Sequence, residues 1–66
     1  MAVLKVIEIL ASSPVSWEEA TASAVNVAAK TVKEIRSAYV KEQSAVVVKN
    51  KITEYRVNVK ITFEVV

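Results

Sequence analysis

The groups able to do chemistry in this 66-residue chain are nine Lys and Arg and seven carboxylates, all of them Glu. Cys, His, Gly and Asp are absent. Without Cys or His the usual nucleophile–base pairs and the commonest general base are missing, and so is an ordinary zinc ligand set. Without Gly there is no phosphate-cradling loop of the dinucleotide or P-loop kind. Without Asp an EF-hand loop is excluded. The adjacent pair Glu18–Glu19 falls on different helix faces and suits helix capping better than acid–base work. These absences point to a binding or storage module, not an enzyme. Hard-cation binding stays open, because Glu and backbone carbonyl oxygens can coordinate calcium and a symmetry axis can gather Glu from several copies.

The net charge of +2 reflects few acids, not a basic cluster. Lys49-Asn50-Lys51 is the densest basic spot and lies in an expected turn. Elsewhere Lys and Arg are mixed with Glu, which is a solvated surface and not the basic stripe of a nucleic-acid binder. The aromatic residues are Trp17, Tyr39, Tyr55 and Phe63. A ring-stacking ligand needs one of them exposed in a cleft. Tyr55 and Phe63 share the apolar face of a strand, so core packing is expected of them. Trp17 opens a helix, where a staple-like packing role is expected. For Tyr39 the pattern leaves both roles open.

The elements that must position these groups follow from periodicity. Val3 to Leu10 predicts a first strand, β-branched and aliphatic, with Lys5 and Glu8 on opposite faces. Ala11 to Ser16 breaks it, and Pro14 removes a backbone donor. Ser16 is the N-cap of a helix, and Glu19 three residues on completes a capping box. The helix is expected from Trp17 to Ile35, with a stripe of Trp17, Ala20, Ala24, Val27, Ala28, Thr31 and Ile35 widened by Val25 and Val32. Lys30, Lys33 and Arg36 then suit its negative C-terminal end. That stripe covers either a sheet or a neighbouring helix of another copy; the strand that follows favours the sheet. Ser37 to Lys49 predicts a second strand, and Lys49-Asn50-Lys51 a hairpin turn in which Asn50 tolerates positive φ. Ile52 to Val66 predicts a third strand. Its apolar residues Tyr55, Val57, Val59, Ile61, Phe63 and Val65 alternate with Glu54, Arg56, Asn58, Lys60, Thr62 and Glu64, so one face lies on a core.

The fold class is therefore α+β: a β-α-β-β unit, with a three-stranded antiparallel sheet packed on one helix, in a single domain over residues 1–66. A chain this short buries only about 60% of its unfolded surface. With 53% hydrophobic residues and no possible disulfide, oligomerisation is the remaining way to stabilise it. Three strands also leave two long apolar edges that a closed assembly would cover. No uncharged stretch exceeds about ten residues, and the one from Ile9 to Trp17 holds Ser12, Ser13, Pro14 and Ser16, so no membrane span is expected. Met1-Ala2-Val3-Leu4-Lys5 lacks the form of a signal peptide, and the expected compartment is cytoplasmic.

Taken together, Ser12-Ser13-Pro14-Val15-Ser16-Trp17-Glu18-Glu19-Ala20, the segment Thr31 to Arg36, and Glu54 to Phe63 resemble the dodecins, small flavin-binding proteins. The resemblance runs from Val3 to Val65. It implies a hollow homododecamer of β-α-β-β subunits that sequesters a small ligand, with FMN, riboflavin or FAD as the family default. It also implies site positions. The flavin-stacking Trp at the start of the second strand is Ser37 here, the Gln of the third strand is Arg56, and a Gly usual in the first loop is Ala11. Ser37, Tyr39 and Arg56 are the candidate cofactor-binding residues by position. Ser37 has no π-face, so the contribution of an aromatic pair, about 0.5–1.5 kcal/mol, is lost. Arg56 can stack on a ring or pair with a phosphate. Some dodecin-like proteins lacking the Trp are associated with calcium, which keeps open an alternative: a shell without flavin that binds calcium or is purely structural. A third reading, of another class, is an adaptor that adds a partner's strand to a sheet edge.

Overall fold

The computed structural model describes residues 2–65. The elements run β1 (Leu4–Ser13), α1 (Trp17–Ala28), β2 (Ile35–Val48) and β3 (Lys51–Glu64). They form one antiparallel sheet in the order β1-β3-β2, so the strand with the cleanest alternation is the central one. The expected topology, sheet and helix are all present.

Boundaries differ from those expected, most at the following places. The strand expected to stop at Leu10 continues to Ser13, because Ala11, Ser12 and Ser13 still pair with Val57, Arg56 and Tyr55. Pro14, not Ala11, ends it. The helix expected to reach Ile35 stops at Ala28. Beyond it the Lys30 and Thr31 amides donate to the Val27 and Ala28 carbonyls at 3.1 and 3.0 Å, one residue closer in sequence than helical bonds. The Thr31 hydroxyl also donates to the Ala28 carbonyl at 3.3 Å, a local competitor for the helical ladder. Glu34 then takes φ 59, which turns the chain back onto the sheet. Thr31 and Ile35 thus leave the expected stripe, and Val27 is 57% exposed. Lys30, Lys33 and Arg36 cap nothing; there is no basic residue in the last helical turn.

Strand β2 starts two residues early, at Ile35. Its irregular pattern has a structural cause. The pairing register shifts between Ile35 and Ser37 and between Val40 and Glu42, leaving Arg36 and Lys41 as extra residues. Such bulges break period-two alternation. Val48 pairs with Lys51, so the turn is the two residues Lys49 and Asn50, with φ 52 and 65. Positive φ at both central residues is the geometry of a tight hairpin whose twist matches its strands. Asn50 was expected to take it, and Lys49 shares it. The third strand was expected to run to Val66 but ends at Glu64; Val66 lies outside the described residues, as does Met1.

Ser16 caps α1 as expected, its hydroxyl accepting from the Glu19 amide at 3.0 Å. The reciprocal half of the capping box is rerouted. The Glu19 carboxylate accepts instead from the Ser13 hydroxyl at 3.2 Å, and that hydroxyl accepts from the Val15 amide at 2.9 Å and the Ser16 amide at 3.4 Å. Ser13, 2% exposed, is the buried polar residue that joins the end of β1 to the start of α1.

The core is thin. Ala20, Ala24 and Ala28, spaced one turn apart, lie on Val57, Val59 and Ile61, and these are the buried hydrophobic residues. The small side chains let the helix approach β3 closely. Trp17 closes one end: its ring meets Tyr55 edge-on at 4.9 Å, and its indole N–H donates to the Ser44 carbonyl at 2.9 Å. Trp17 and Tyr55 therefore take the packing roles expected of them.

Candidate ligand site on the open face of the sheet

The face of the sheet turned away from α1 is built by the alternate residues. Cross-strand pairing sets them in rows: Ser12–Arg56–Ser44, then Leu10–Asn58–Glu42, then Glu8–Lys60–Tyr39, then Val6–Thr62–Ser37. Each row takes one residue from every strand, because β3 is central. Leu10, Val6 and Tyr39 on this face are 79%, 57% and 65% exposed.

A cleft of about 350 Å³ opens over the first two rows, lined by Leu10, Ala11, Ser12, Glu42, Ser44, Arg56, Val57 and Asn58. Arg56 stands between two serines. No carboxylate approaches it within ion-pairing distance among the described residues, whereas Arg36 is engaged by Glu64 at 2.9 Å and Glu34 at 3.1 Å. In the second row, the Asn58 side-chain carbonyl is buried and has no hydrogen-bond partner. Beyond the cleft, Lys41 lies 3.7 Å from Glu8, reaching it from β2 because the bulge displaces it. Hydrogen bonding from the Asn58 side chain, and then the Lys41 charge, hold the Glu8 carboxyl below the ordinary carboxylate value.

Of the three residues singled out by position, only Arg56 lines the cleft. Ser37 and Tyr39 share its face, but pair with Thr62 and Lys60. Along β3 that sets them about 20 Å and 13 Å from Arg56, at roughly 3.3 Å per residue. One copy does not bring the three together. The cleft residues Ser12, Glu42, Ser44 and Asn58 were not singled out in the sequence. The alternation of β3 marked the face of Asn58, but which residues of β1 and β2 flank it depends on register and bulges.

No group of three or more acidic residues that could hold a metal occurs among the described residues. Glu8, Glu34 and Glu64 are paired with Lys or Arg, and Glu19 is held by Ser13. Glu18, Glu42 and Glu54 make no ion pair or side-chain hydrogen bond there. No helix of the described residues is long and apolar enough to cross a membrane.

Comparison with known proteins agrees with the fold. The dodecin family model matches residues 3–66. A calcium dodecin of Mycobacterium tuberculosis is 48% identical over 65 residues, covering 97% of this chain and 90% of that protein. A crystal structure of calcium dodecin from the same organism, described as having a novel calcium-binding site, superposes with a TM-score of 0.83 at 43% identity, covering 97% of this chain and 91% of that one. A dodecin variant of Thermus thermophilus superposes with a TM-score of 0.93 at 26% identity, covering 100% of this chain and 98% of that one. The match over nearly the whole chain, joined to the same β-α-β-β topology, places this chain in the dodecin family.

Proposed function

We propose that this chain is the subunit of a closed homo-oligomeric shell, a dodecamer by family precedent, and that its cargo is calcium, not flavin. The observation that carries this is the 48% identity, over 97% of the chain, to a calcium dodecin. The absence of a carboxylate cluster within one copy is consistent with it when the ligands come from several copies. Glu18, Glu42 and Glu54 are the unengaged carboxylates available for that purpose. Non-enzymatic storage in the cytoplasm fits the residue inventory, which lacks Cys and His. Neither nucleic acid nor membrane is a partner in this reading.

The assembly rests on what one copy leaves undone. β1 and β2 are both sheet edges. Pairing with β1 ends at Tyr55, so the hairpin from Val46 to Glu54 projects as two strands alone, with Val47, Val48 and Ile52 each at least half exposed. A two-stranded ribbon is marginal in water. Copies that cover edges and hairpin would complete it.

A second reading, flavin storage, is favoured by one observation: Tyr39 leaves an exposed ring on the open face. Melting the purified protein with calcium and with chelator separates the readings, because a ligand specific for the folded state raises stability by mass action. A melting temperature raised by calcium and lowered by chelator is expected. An unchanged melt contradicts the calcium reading, and quenching of FMN or riboflavin fluorescence at micromolar protein would support the flavin one.

A further inference from the structure

Between α1 and β2 the chain adopts a conformation that its own residues do not favour. Val32 and Ile35 continue the spacing of the helical stripe, and Lys30, Lys33 and Glu34 are good helix formers. Yet α1 ends at Ala28. The break is slight at first. Ala29 is still right-handed, and the Val32 amide donates to the Ala28 carbonyl at 2.9 Å, which is a helical bond. It becomes complete at Glu34, whose φ of 59 is a value that a residue other than glycine seldom takes unless its surroundings force it.

Three contacts supply that force. The Glu34 carbonyl accepts from the Glu64 amide at 3.0 Å. The Glu34 carboxylate lies 3.1 Å from the Arg36 guanidinium. The same guanidinium donates to the Glu64 carboxylate at 2.9 and 3.1 Å. Arg36 reaches both because it is the extra residue of a bulge, a feature that re-aims a side chain. A lone exposed ion pair contributes little, but one guanidinium here joins the strained residue to the end of the central strand. We propose that residues 29–34 form a two-state latch. In the closed state, the one observed, Arg36 pins Glu34 in its left-handed conformation and β2 begins at Ile35. In the open state α1 runs on through Glu34, and Ile35 and Arg36 leave the end of β3. Opening frees the sheet edge next to Ser37, so the latch sets how much of the β2 edge is ordered. Salt screens exposed charges and favours opening. The latch lies within one copy and rests on neither the cargo nor the assembly.

Hydrogen exchange of the Glu64 amide, read by NMR beside circular dichroism at 222 nm, tests this on the full chain in its native state. Arg36→Gln should speed that exchange about three- to tenfold and gain helical signal together with it. Adding Glu34→Gly to Arg36→Gln should reverse both changes, because glycine takes positive φ freely and is a poor helix former. Raised salt should move the unaltered protein in the same direction as Arg36→Gln. Faster exchange without a gain in helical signal is plain fraying and overturns the proposal. Unchanged exchange in Arg36→Gln, or a double variant that reverses neither signal, overturns it too. Should Arg36→Gln not assemble, the salt titration of the unaltered protein decides: the two signals rising together support the latch, and a helical signal indifferent to salt overturns it.

Discussion

The helix-covered face and the open face of the sheet are drawn from alternate residues of the same three strands, yet they end in different states. On the covered face Val57, Val59 and Ile61 are sealed by Ala20, Ala24 and Ala28 within one copy. On the open face Leu4, Val6, Leu10 and Tyr39 stay more than half exposed, among charged groups that, among the described residues, form a single ion pair between strands there, Lys41 with Glu8, apart from the Arg36–Glu64 contact at the end of the sheet. The difference teaches where the subunit stops. Its interior is finished on one side by its own helix, and the other side and the projecting hairpin are left for neighbouring copies and for ligand.

The largest expected effect breaks the comparison most directly. Ile61→Ala on the covered face, where Ile61 is 0% exposed, should cost about 2–5 kcal/mol as removal of buried methyl groups leaves a cavity. Leu10→Ala on the open face separates two cases. A face left bare gives a change within about 0.5 kcal/mol. A face covered by other copies gives a loss approaching that of Ile61→Ala, with a lighter assembly. Chemical denaturation of both variants reads the contrast.

A smaller effect sharpens the seam between the faces. Ser13→Ala removes the hydroxyl that serves the Val15 and Ser16 amides and the Glu19 carboxylate. A cost of about 1–3 kcal/mol is expected, because buried polar groups lose their partner. Ser13→Thr, which keeps the hydroxyl, should recover part of it in the same denaturation assay.

The smallest effect belongs to the open face and has a sign. Glu8 is depressed below its ordinary value of 4.5, so its contribution is present above that value and is lost as pH falls through the lower folded value. Because Glu8 is exposed, water screens the interaction. Glu8→Gln should melt slightly below the unaltered protein at pH 7, and the two should converge as pH falls below the lowered folded value. A gap that persists at acid pH contradicts the assignment to charge.

Much of this was legible beforehand, and the exceptions have physical causes. The strict alternation from Tyr55 to Phe63 defined the central strand and both of its faces, since period two admits no other reading. Ser16 and Glu19 announced the helix start. The helix end was not legible, because Thr31, Val32 and Ile35 continue the helical spacing while a Thr31 side-chain bond and a left-handed Glu34 stop it. The bulges at Arg36 and Lys41 were hidden for a similar reason: an extra residue in a strand carries no compositional mark. Of the candidate site, Arg56 was reached by resemblance. Its neighbours Ser12, Ser44, Glu42 and Asn58 required register, and Ser37 and Tyr39 lie too far from Arg56 to join it within one copy.

The incompleteness of the single copy is tested most directly by the mass of the particle in solution. Native mass spectrometry at micromolar protein should give a discrete species at about twelve times the 7.2 kDa subunit mass. A folded species of one subunit mass, with the open face and hairpin bare to water, would contradict the account.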